Sequence, residues 1–305
     1  MRSKLFHVLL FVAERVVAAL AICTVTRHEG DFGDRVQCQN TSLAALANVN
    51  SSEVAALMIF QSNLAVIPGS AFARFSGSLN SLNIHMCRLR NISADAFHGL
   101  AKLKKLSLPN NNISSVKEEW FKDTVYLEQL DLSYNRIDRL NPAIFSRMLL
   151  LKRLDVRENR LTCLDWTSLP GGIEKVYFFG NPLTFLCRGK LTLWMRDHGV
   201  SYKTGASDAK EAWLDKLLWL CAIDDSAVAG SELLIKECLL LNLFEQLKTG
   251  LTTAESYPLQ ISYDCADAMD RLMVCAAKES EDAGPSTNAR FVTNLLLYLR
   301  EARSS

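Results

Sequence analysis

The sequence predicts an α/β solenoid, a horseshoe with short parallel strands on its concave face, followed by an all-α domain linked by disulfides. Two observations predict the solenoid: leucines recur every 24 residues, and large aromatic residues recur at nearly the same interval. A third predicts the second domain, because the apolar spacing becomes helical after residue 207. One coil of this kind cannot bury its own apolar side chains, so consecutive coils must stack.

The 24-residue period is clearest in the middle of the chain. Leu79, Leu103, Leu127 and Leu151 each open a copy of the pattern L-x-x-L-x-L-x-x-N/C-x-L. Irregular copies precede and follow these four, which gives six repeats over residues 54–186. Because alternate residues of a strand point to opposite faces, the leucines point into the coil and the residues between them point outward.

Two further positions of the repeat have predictable roles. The polar position turns the chain out of the strand, and its side-chain amide can bond backbone groups that the turn leaves unpaired. It is occupied by Asn111, Asn135, Asn159 and Asn181, with Cys87 in the second repeat. The aromatic period is expected to fill the far half of each coil. Its members are Phe72, Phe97, Phe121 and Phe145.

On these repeats the chain resembles the extracellular leucine-rich-repeat family, which implies a leucine-rich-repeat horseshoe closed by cysteine caps. The resemblance implies an N-terminal cap over residues 22–53 with Cys23 paired to Cys38. It also implies a C-terminal cap over residues 187–206 with Cys163 paired to Cys187. Cys87 would then be a buried, inert thiol; a redox or intermolecular role is the alternative.

The N-terminus predicts a secreted protein. Arg2 and Lys4 precede an apolar run that ends in an A-x-A site, so residues 1–21 are interpreted as a signal peptide. Glu14 and Arg15 interrupt that run, which leaves a signal anchor or a misassigned gene start as alternatives. No later apolar run is long enough to span a membrane. Four sequons predict N-glycosylation at Asn40, Asn50, Asn91 and Asn112.

Residues 207–305 predict a compact domain of four amphipathic helices. It contains Cys221, Cys238, Cys265 and Cys275, all candidates for disulfides. Cys265 and Cys275 lie ten residues apart on one predicted helix, about 15 Å along its axis, so they cannot pair with each other. Two arrangements remain open: Cys221 to Cys265 with Cys238 to Cys275, or the exchanged pairing.

No sequence pattern indicates an enzyme. The chain lacks a P-loop, G-x-S-x-G, G-x-G-x-x-G, H-E-x-x-H and C-x-x-C, and its five histidines are scattered. We therefore expect no catalytic residue, no cofactor and no metal ion. The formal net charge of +1 argues against a nucleic-acid partner.

The concave face is the candidate binding surface, because extended concave surfaces are what solenoids commonly use for binding. We expect Tyr177 and Phe179 to be exposed beside arginine and to act as interface anchors. The alternative is a solvated sheet whose charges pair with one another and whose aromatic residues pack under the cap. The candidate binding residues are Met58, Phe60, His85, Lys105, Asp131, Arg153, Asp155, Arg157, Tyr177 and Phe179.

These features together predict a secreted recognition protein that binds rather than catalyses. The architecture resembles the mosquito leucine-rich-repeat immune proteins, which implies innate defence and a protein or pathogen-surface glycan as partner. A disulfide-linked or non-covalent dimer is a further possibility. One alternative function is a structural or receptor-modulating matrix protein. Another is a carrier that holds a small apolar ligand in the helical domain.

Overall fold

The structure is a computed structural model that describes six parts of the chain: residues 22–27, 33–49, 53–202, 212–222, 230–236 and 238–239. The chain divides into two compact units. The first unit comprises Met1–Asn181 and Met195–Thr204, and the second comprises Pro182–Trp194 and Gly205–Ser305.

An eight-stranded sheet organises the first unit, and its repeat strands lie parallel in sequence order. All six predicted repeats contribute a strand to it, so the predicted solenoid of stacked coils is confirmed. Two short strands, β4 and β6, form a separate parallel pair. The strands are β1 Ile22–Thr26, β2 Asp34–Gln39, β3 Val54–Phe60, β4 Val66–Ile67, β5 Ser81–His85, β6 Asn91–Ile92, β7 Lys105–Ser107, β8 Gln129–Asp131, β9 Arg153–Asp155 and β10 Lys175–Tyr177.

Short 3-10 helices occupy the return segments of the coils instead of full α-helices. They span Leu43–Asn48, Ala73–Phe75, Glu118–Phe121, Pro142–Arg147 and Trp166–Ser168. Asn141 caps one of them by accepting a hydrogen bond from the Ala143 N–H at 3.0 Å. The four phenylalanines of the aromatic period are buried, as predicted, and the rings of Phe72 and Phe97 stack with centroids 6.2 Å apart.

A hairpin precedes the first repeat. Strands β1 and β2 pair antiparallel with Cys23 opposite Cys38, and these two cysteines form a disulfide. Strand β2 then pairs parallel with β3, so the hairpin covers the edge of the repeat sheet that would otherwise present unpaired backbone groups. The Thr41 N–H donates to Ser62 Oγ at 2.9 Å, which joins the hairpin segment to the polar position of the first repeat.

The asparagine ladder forms as predicted and joins neighbouring coils. Asn135 Nδ2 donates to the carbonyl of Leu108 in the preceding coil at 2.9 Å and to that of Leu132 in its own coil at 3.0 Å. Its Oδ1 accepts from the Ile113 N–H at 3.1 Å. Asn159 repeats this arrangement with Leu132, Val156 and Ile137. Each amide therefore satisfies buried backbone groups of two coils at once.

Cys87 substitutes for asparagine in this ladder and forms no disulfide. Its Sγ lies 3.6 Å from the Ile59 carbonyl and 3.2 Å from the His85 carbonyl, which correspond to acceptors of the other ladder amides. Burial raises the pKa of the Cys87 thiol, although hydrogen bonds from Ser62 oppose that shift. A neutral thiol thus donates weakly where asparagine would donate strongly.

Two α-helices, Phe185–Asp197 and Ala212–Ala222, contribute to the second unit. The last residues of the first helix, from Met195 onward, are assigned to the first unit. Residues 232–236 and 238–239 are also helical. The first helix begins before Leu186, so the last position of the sixth repeat is helical and does not belong to a regular coil. Arg188 Nε donates to Asp215 Oδ1 at 2.8 Å, and both side chains are buried. This ion pair joins two helices inside the unit.

One expectation about the disulfides is wrong. Cys221 pairs with Cys238, with their Cα atoms 5.9 Å apart, and neither open arrangement with Cys265 and Cys275 is possible beside it. The two bonded cysteines lie on successive helical segments whose facing positions are within disulfide reach, which helical periodicity alone does not reveal. Cys163 and Cys187 are also disulfide-bonded. Cys265 and Cys275 lie outside the described residues.

Replacing Asn135 by Ala tests the ladder. The substitution leaves the buried Ile113 N–H without its acceptor. It also removes one donor from the carbonyls of Leu108 and Leu132, each of which keeps a bond from a neighbouring ladder amide. We expect the free energy of unfolding to fall by about 2–3 kcal/mol, measured by urea denaturation with the disulfides intact. The matched control is Asn63→Ala, because Asn63 is exposed. Equal stability of the two variants would contradict the role assigned to the ladder.

Candidate functional site

The outward residues of the repeat strands form three columns in the predicted register. The central column is Met58, Asn83, Ser107, Asp131, Asp155 and Tyr177. The column on the preceding side, called here the lysine column, runs through Lys105, Gln129, Arg153 and Lys175. The third column begins with Phe60 and His85 and continues after the strands with Pro109, Ser133, Arg157 and Phe179. Together these three columns are the concave face.

The N-terminal end of this face is apolar and uncharged. The rings of Phe60 and His85 stack with centroids 5.4 Å apart, and both side chains are half-buried. His85 Nδ1 lies 3.1 Å from Asn83 Oδ1. Burial lowers the pKa of His85, which favours the neutral imidazole. This end of the face therefore offers a half-buried aromatic surface.

The two carboxylates of the central column are satisfied within the protein. Asp131 Oδ1 accepts from the Ser133 hydroxyl at 2.7 Å and from its N–H at 3.0 Å, and Oδ2 accepts from Ser107 Oγ at 3.0 Å. Asp155 is only 2% exposed and accepts from Arg157 Nε at 2.9 Å and Nη2 at 2.7 Å. The hydrogen bond to Asp155 raises the pKa of Arg157. The charge of Asp155 is therefore neutralised by Arg157, whereas Asp131 has hydrogen-bond donors but keeps its negative charge.

Tyr177 and Phe179 are buried, which corrects the expectation that they are exposed. They are 7% and 9% exposed. The guanidinium groups of Arg153 and Arg157 lie over the Tyr177 ring at 4.8 and 5.4 Å from its centroid. Phe179 packs against Phe178 at 4.8 Å and lies 6.1 Å from the Tyr202 ring. A binding role for either aromatic residue stays a prediction.

The segment that follows the sixth repeat explains part of this burial. Ser201 forms a parallel bridge with Lys175, and its carbonyl accepts from the Val176 N–H at 2.9 Å. This pairing brings Tyr202 against the aromatic residues of the last coil. The alternation of Val200, Ser201 and Tyr202 is the only signal in the sequence for it, and three residues are too few to predict a strand.

The lysine column carries the free charge of the concave face. Lys105, Arg153 and Lys175 are exposed, and within the described part of the chain none of them lies in an ion pair. Arg153 lies directly opposite Lys175 in the β9–β10 pairing. Like charges placed opposite each other on neighbouring strands destabilise a sheet. The lysine column is thus a stripe of unpaired positive charge on the concave face.

Comparison with protein families agrees with this geometry. The profile of the leucine rich repeat family matches residues 52–113, 77–137, 101–161 and 125–171. Residues 52–171 are leucine-rich repeats. The sixth repeat lies largely beyond this match, although β10 continues the same sheet. No curated protein matches the chain, so the resemblance to the mosquito immune proteins rests on the sequence pattern alone.

The described residues contain no candidate membrane-spanning helix and no cluster of metal ligands. None of their helices is both long and apolar enough to cross a membrane. In the same parts of the chain, no three His, Cys, Asp or Glu side chains come together in a group that could hold a metal ion.

Replacing Arg157 by Ala tests whether the ion pair between Arg157 and Asp155 stabilises the concave face. The change leaves the Asp155 carboxylate buried without a counter-charge. We expect the free energy of unfolding to fall by about 2–3 kcal/mol, which is less than for a fully buried ion pair because Arg157 itself is partly exposed. Adding Asp155→Asn to this variant should restore part of the loss. Arg153→Ala is the control, with an expected loss of about 0.5–1 kcal/mol from its ring contact. Similar losses for the two single variants would contradict the argument.

Proposed function

We propose that this protein is a secreted recognition protein that binds an acidic segment of a protein partner on its concave face. The lysine column carries the proposal, because its cations form no ion pair within the described part of the chain. A binding role without catalysis fits the lack of any catalytic motif in the sequence.

Some of the charges on the concave face are already paired within the protein. Asp155 is paired with Arg157, so it does not offset Lys105, Arg153 and Lys175. Asp131 accepts only from serine and keeps its negative charge, so these groups of the concave face still carry a net positive charge. An anionic partner would relieve the repulsion between Arg153 and Lys175, which lie on neighbouring strands about 4.8 Å apart. A surface of one sign also accelerates the encounter with an oppositely charged partner.

An acidic polypeptide fits this surface better than a uniformly anionic chain. The lysine column is narrow, and the central column beside it presents neutral or satisfied groups such as Ser107 and Asn83. Farther along, Phe60 and His85 offer a half-buried aromatic surface. A partner with carboxylates beside apolar and polar side chains matches all three features.

A fluorescein-labelled peptide of alternating Glu and Ser tests the charge preference by fluorescence anisotropy. We expect binding that weakens as NaCl rises, because exposed charges are screened. The variant Lys105→Glu/Arg153→Glu/Lys175→Glu should bind at least ~10-fold more weakly. The control variant Lys122→Glu/Arg139→Glu/Arg160→Glu changes the net charge equally at exposed positions outside the concave face. It should retain binding.

Two outcomes would contradict this proposal. Equal weakening in the test and control variants would mean that binding follows overall charge and not the lysine column. Binding of a heparin fragment without binding of the peptide would indicate an anionic glycan as partner.

Secretion is the second part of the proposal. The apolar N-terminal run, the disulfides and the sequons support it, and β1 begins at Ile22, directly after the proposed cleavage site. Asn40 and Asn91 are exposed and Asn112 is half-buried, whereas Asn50 lies outside the described residues. Asn40, Asn91 and Asn112 are not among the residues of the concave face, which is compatible with glycans at these three positions.

Expression of the full chain in insect cells tests secretion. We expect protein in the medium whose N-terminal residue is Ile22, identified by Edman degradation or mass spectrometry. Peptide N-glycosidase F should lower its mass, and Asn91→Gln should remove one glycan. Retention of the chain in the membrane fraction with residues 1–21 attached would instead indicate a signal anchor.

Innate defence is the role that we propose for this recognition protein. The architecture supports it: a proposed signal peptide, few repeats, an N-terminal cysteine hairpin, and a cysteine-bearing tail with helical segments. Expression restricted to immune tissue and induced by infection is the expected result. Constitutive deposition in the matrix would favour a structural role.

A further inference from the structure

An exposed apolar patch lies on two neighbouring turns of the solenoid. Val125 and Tyr126 form the turn before β8, and Leu149 and Leu150 form the turn before β9. These four side chains are between 47% and 72% exposed. Exposed turn positions usually carry polar residues or glycine. A contiguous exposed apolar patch therefore indicates an interaction surface.

A row of alternating charges runs beside this patch. It consists of Lys104, Glu128, Lys152 and Glu174, one residue per coil. The backbone N–H of each later member donates to the carbonyl of the preceding one at 2.8–2.9 Å, so the row crosses four stacked coils. Within it, Glu128 lies 3.8 Å from Lys104 and 3.4 Å from Lys152.

This arrangement is complementary to itself about a two-fold axis. An axis between β8 and β9 brings the first member of the row against the last, and the second against the third. Lys104 then meets Glu174 of a second copy, and Glu128 meets Lys152. The same axis places the apolar turn 125–126 on the apolar turn 149–150. Every pairing is therefore favourable in charge or in polarity.

The outer turns fit the same symmetry. The turn before β7 contains Lys102, and the turn before β10 is Gly171–Gly172. Within the described parts of the chain, a Cβ atom added to either glycine would have no neighbour within 4 Å, and neither glycine has a positive φ. Neither packing nor backbone geometry within the chain therefore requires glycine there. The axis brings Lys102 of one copy onto the space that these glycines leave in the other.

We propose that these four turns and the charge row, together called the turn flank, form the interface of a symmetric, non-covalent homodimer. The partner that fits this surface is a second copy of the chain. When the two copies are related by the two-fold axis, opposite charges face each other and apolar residues face apolar residues. None of the sequon asparagines lies on the turn flank. The concave face contributes no residue to it, so this proposal is independent of the proposed function.

Sedimentation velocity on the secreted full-length chain tests the dimer. The wild-type chain should sediment with twice the monomer mass, yet run as a monomer on a non-reducing SDS gel. Leu149→Asp should give a monomer, because it places a charge in the apolar centre of the interface. The control Lys122→Glu, an exposed charge off the turn flank, should remain dimeric.

A charge-exchange pair tests the two-fold register. Glu128→Lys and Lys152→Glu should each be monomeric, because each places two like-charge pairs across the interface; each pair should raise the dimer dissociation constant roughly tenfold or more. An equimolar mixture of the two variants should form a heterodimer, since the changed residues then complement each other. Circular dichroism checks that each variant is folded. A monomeric wild-type chain, a dimeric Leu149→Asp variant or a mixture that stays monomeric would overturn the proposal.

Discussion

The first unit depends on the hydrogen bonds that ladder side chains make to the backbones of two coils. A coil with so little regular secondary structure has many turn carbonyls and N–H groups that cannot pair within it. Asn111, Asn135 and Asn159 supply donors and an acceptor at the same place in each coil, so the backbone is satisfied without full helices. The exposed residue before each ladder position adopts a left-handed conformation, as Asn110, Tyr134 and Glu158 do.

This regular stacking determines how surface chemistry is arranged. Equivalent residues recur about every 4.8 Å across the sheet, so any residue type that repeats in the sequence becomes a stripe on the surface. Some stripes neutralise themselves, as Asp155 does with Arg157, and others do not, as in the lysine column. The charges that a partner can contact are therefore those that form no ion pair within the protein. A list of charged residues does not distinguish them from the paired ones.

The two units are stabilised by different means. The coils rely on ladder amides, buried leucines and stacked phenylalanines such as Phe72 and Phe97. In the helical unit, a buried Arg188–Asp215 ion pair and the Cys221–Cys238 disulfide join the helices. A buried ion pair of this kind fixes the geometry of the two helices more than it raises the free energy of unfolding, because the cost of desolvating both charges offsets much of their attraction. The disulfide adds a covalent link between two helical segments of this unit.

The 24-residue period by itself determined the coils, the strand register, the ladder and the membership of the three columns. Each of these depends on spacing along the chain, which the sequence displays directly. Only the tertiary structure decided that Tyr177 and Phe179 are buried and that Cys221 pairs with Cys238. Those outcomes depend on segments outside the period, such as the one around Tyr202, whose position no local pattern encodes. Only the tertiary structure likewise decided that Arg157 pairs with Asp155, whereas Lys105, Arg153 and Lys175 form no ion pair within the described part of the chain.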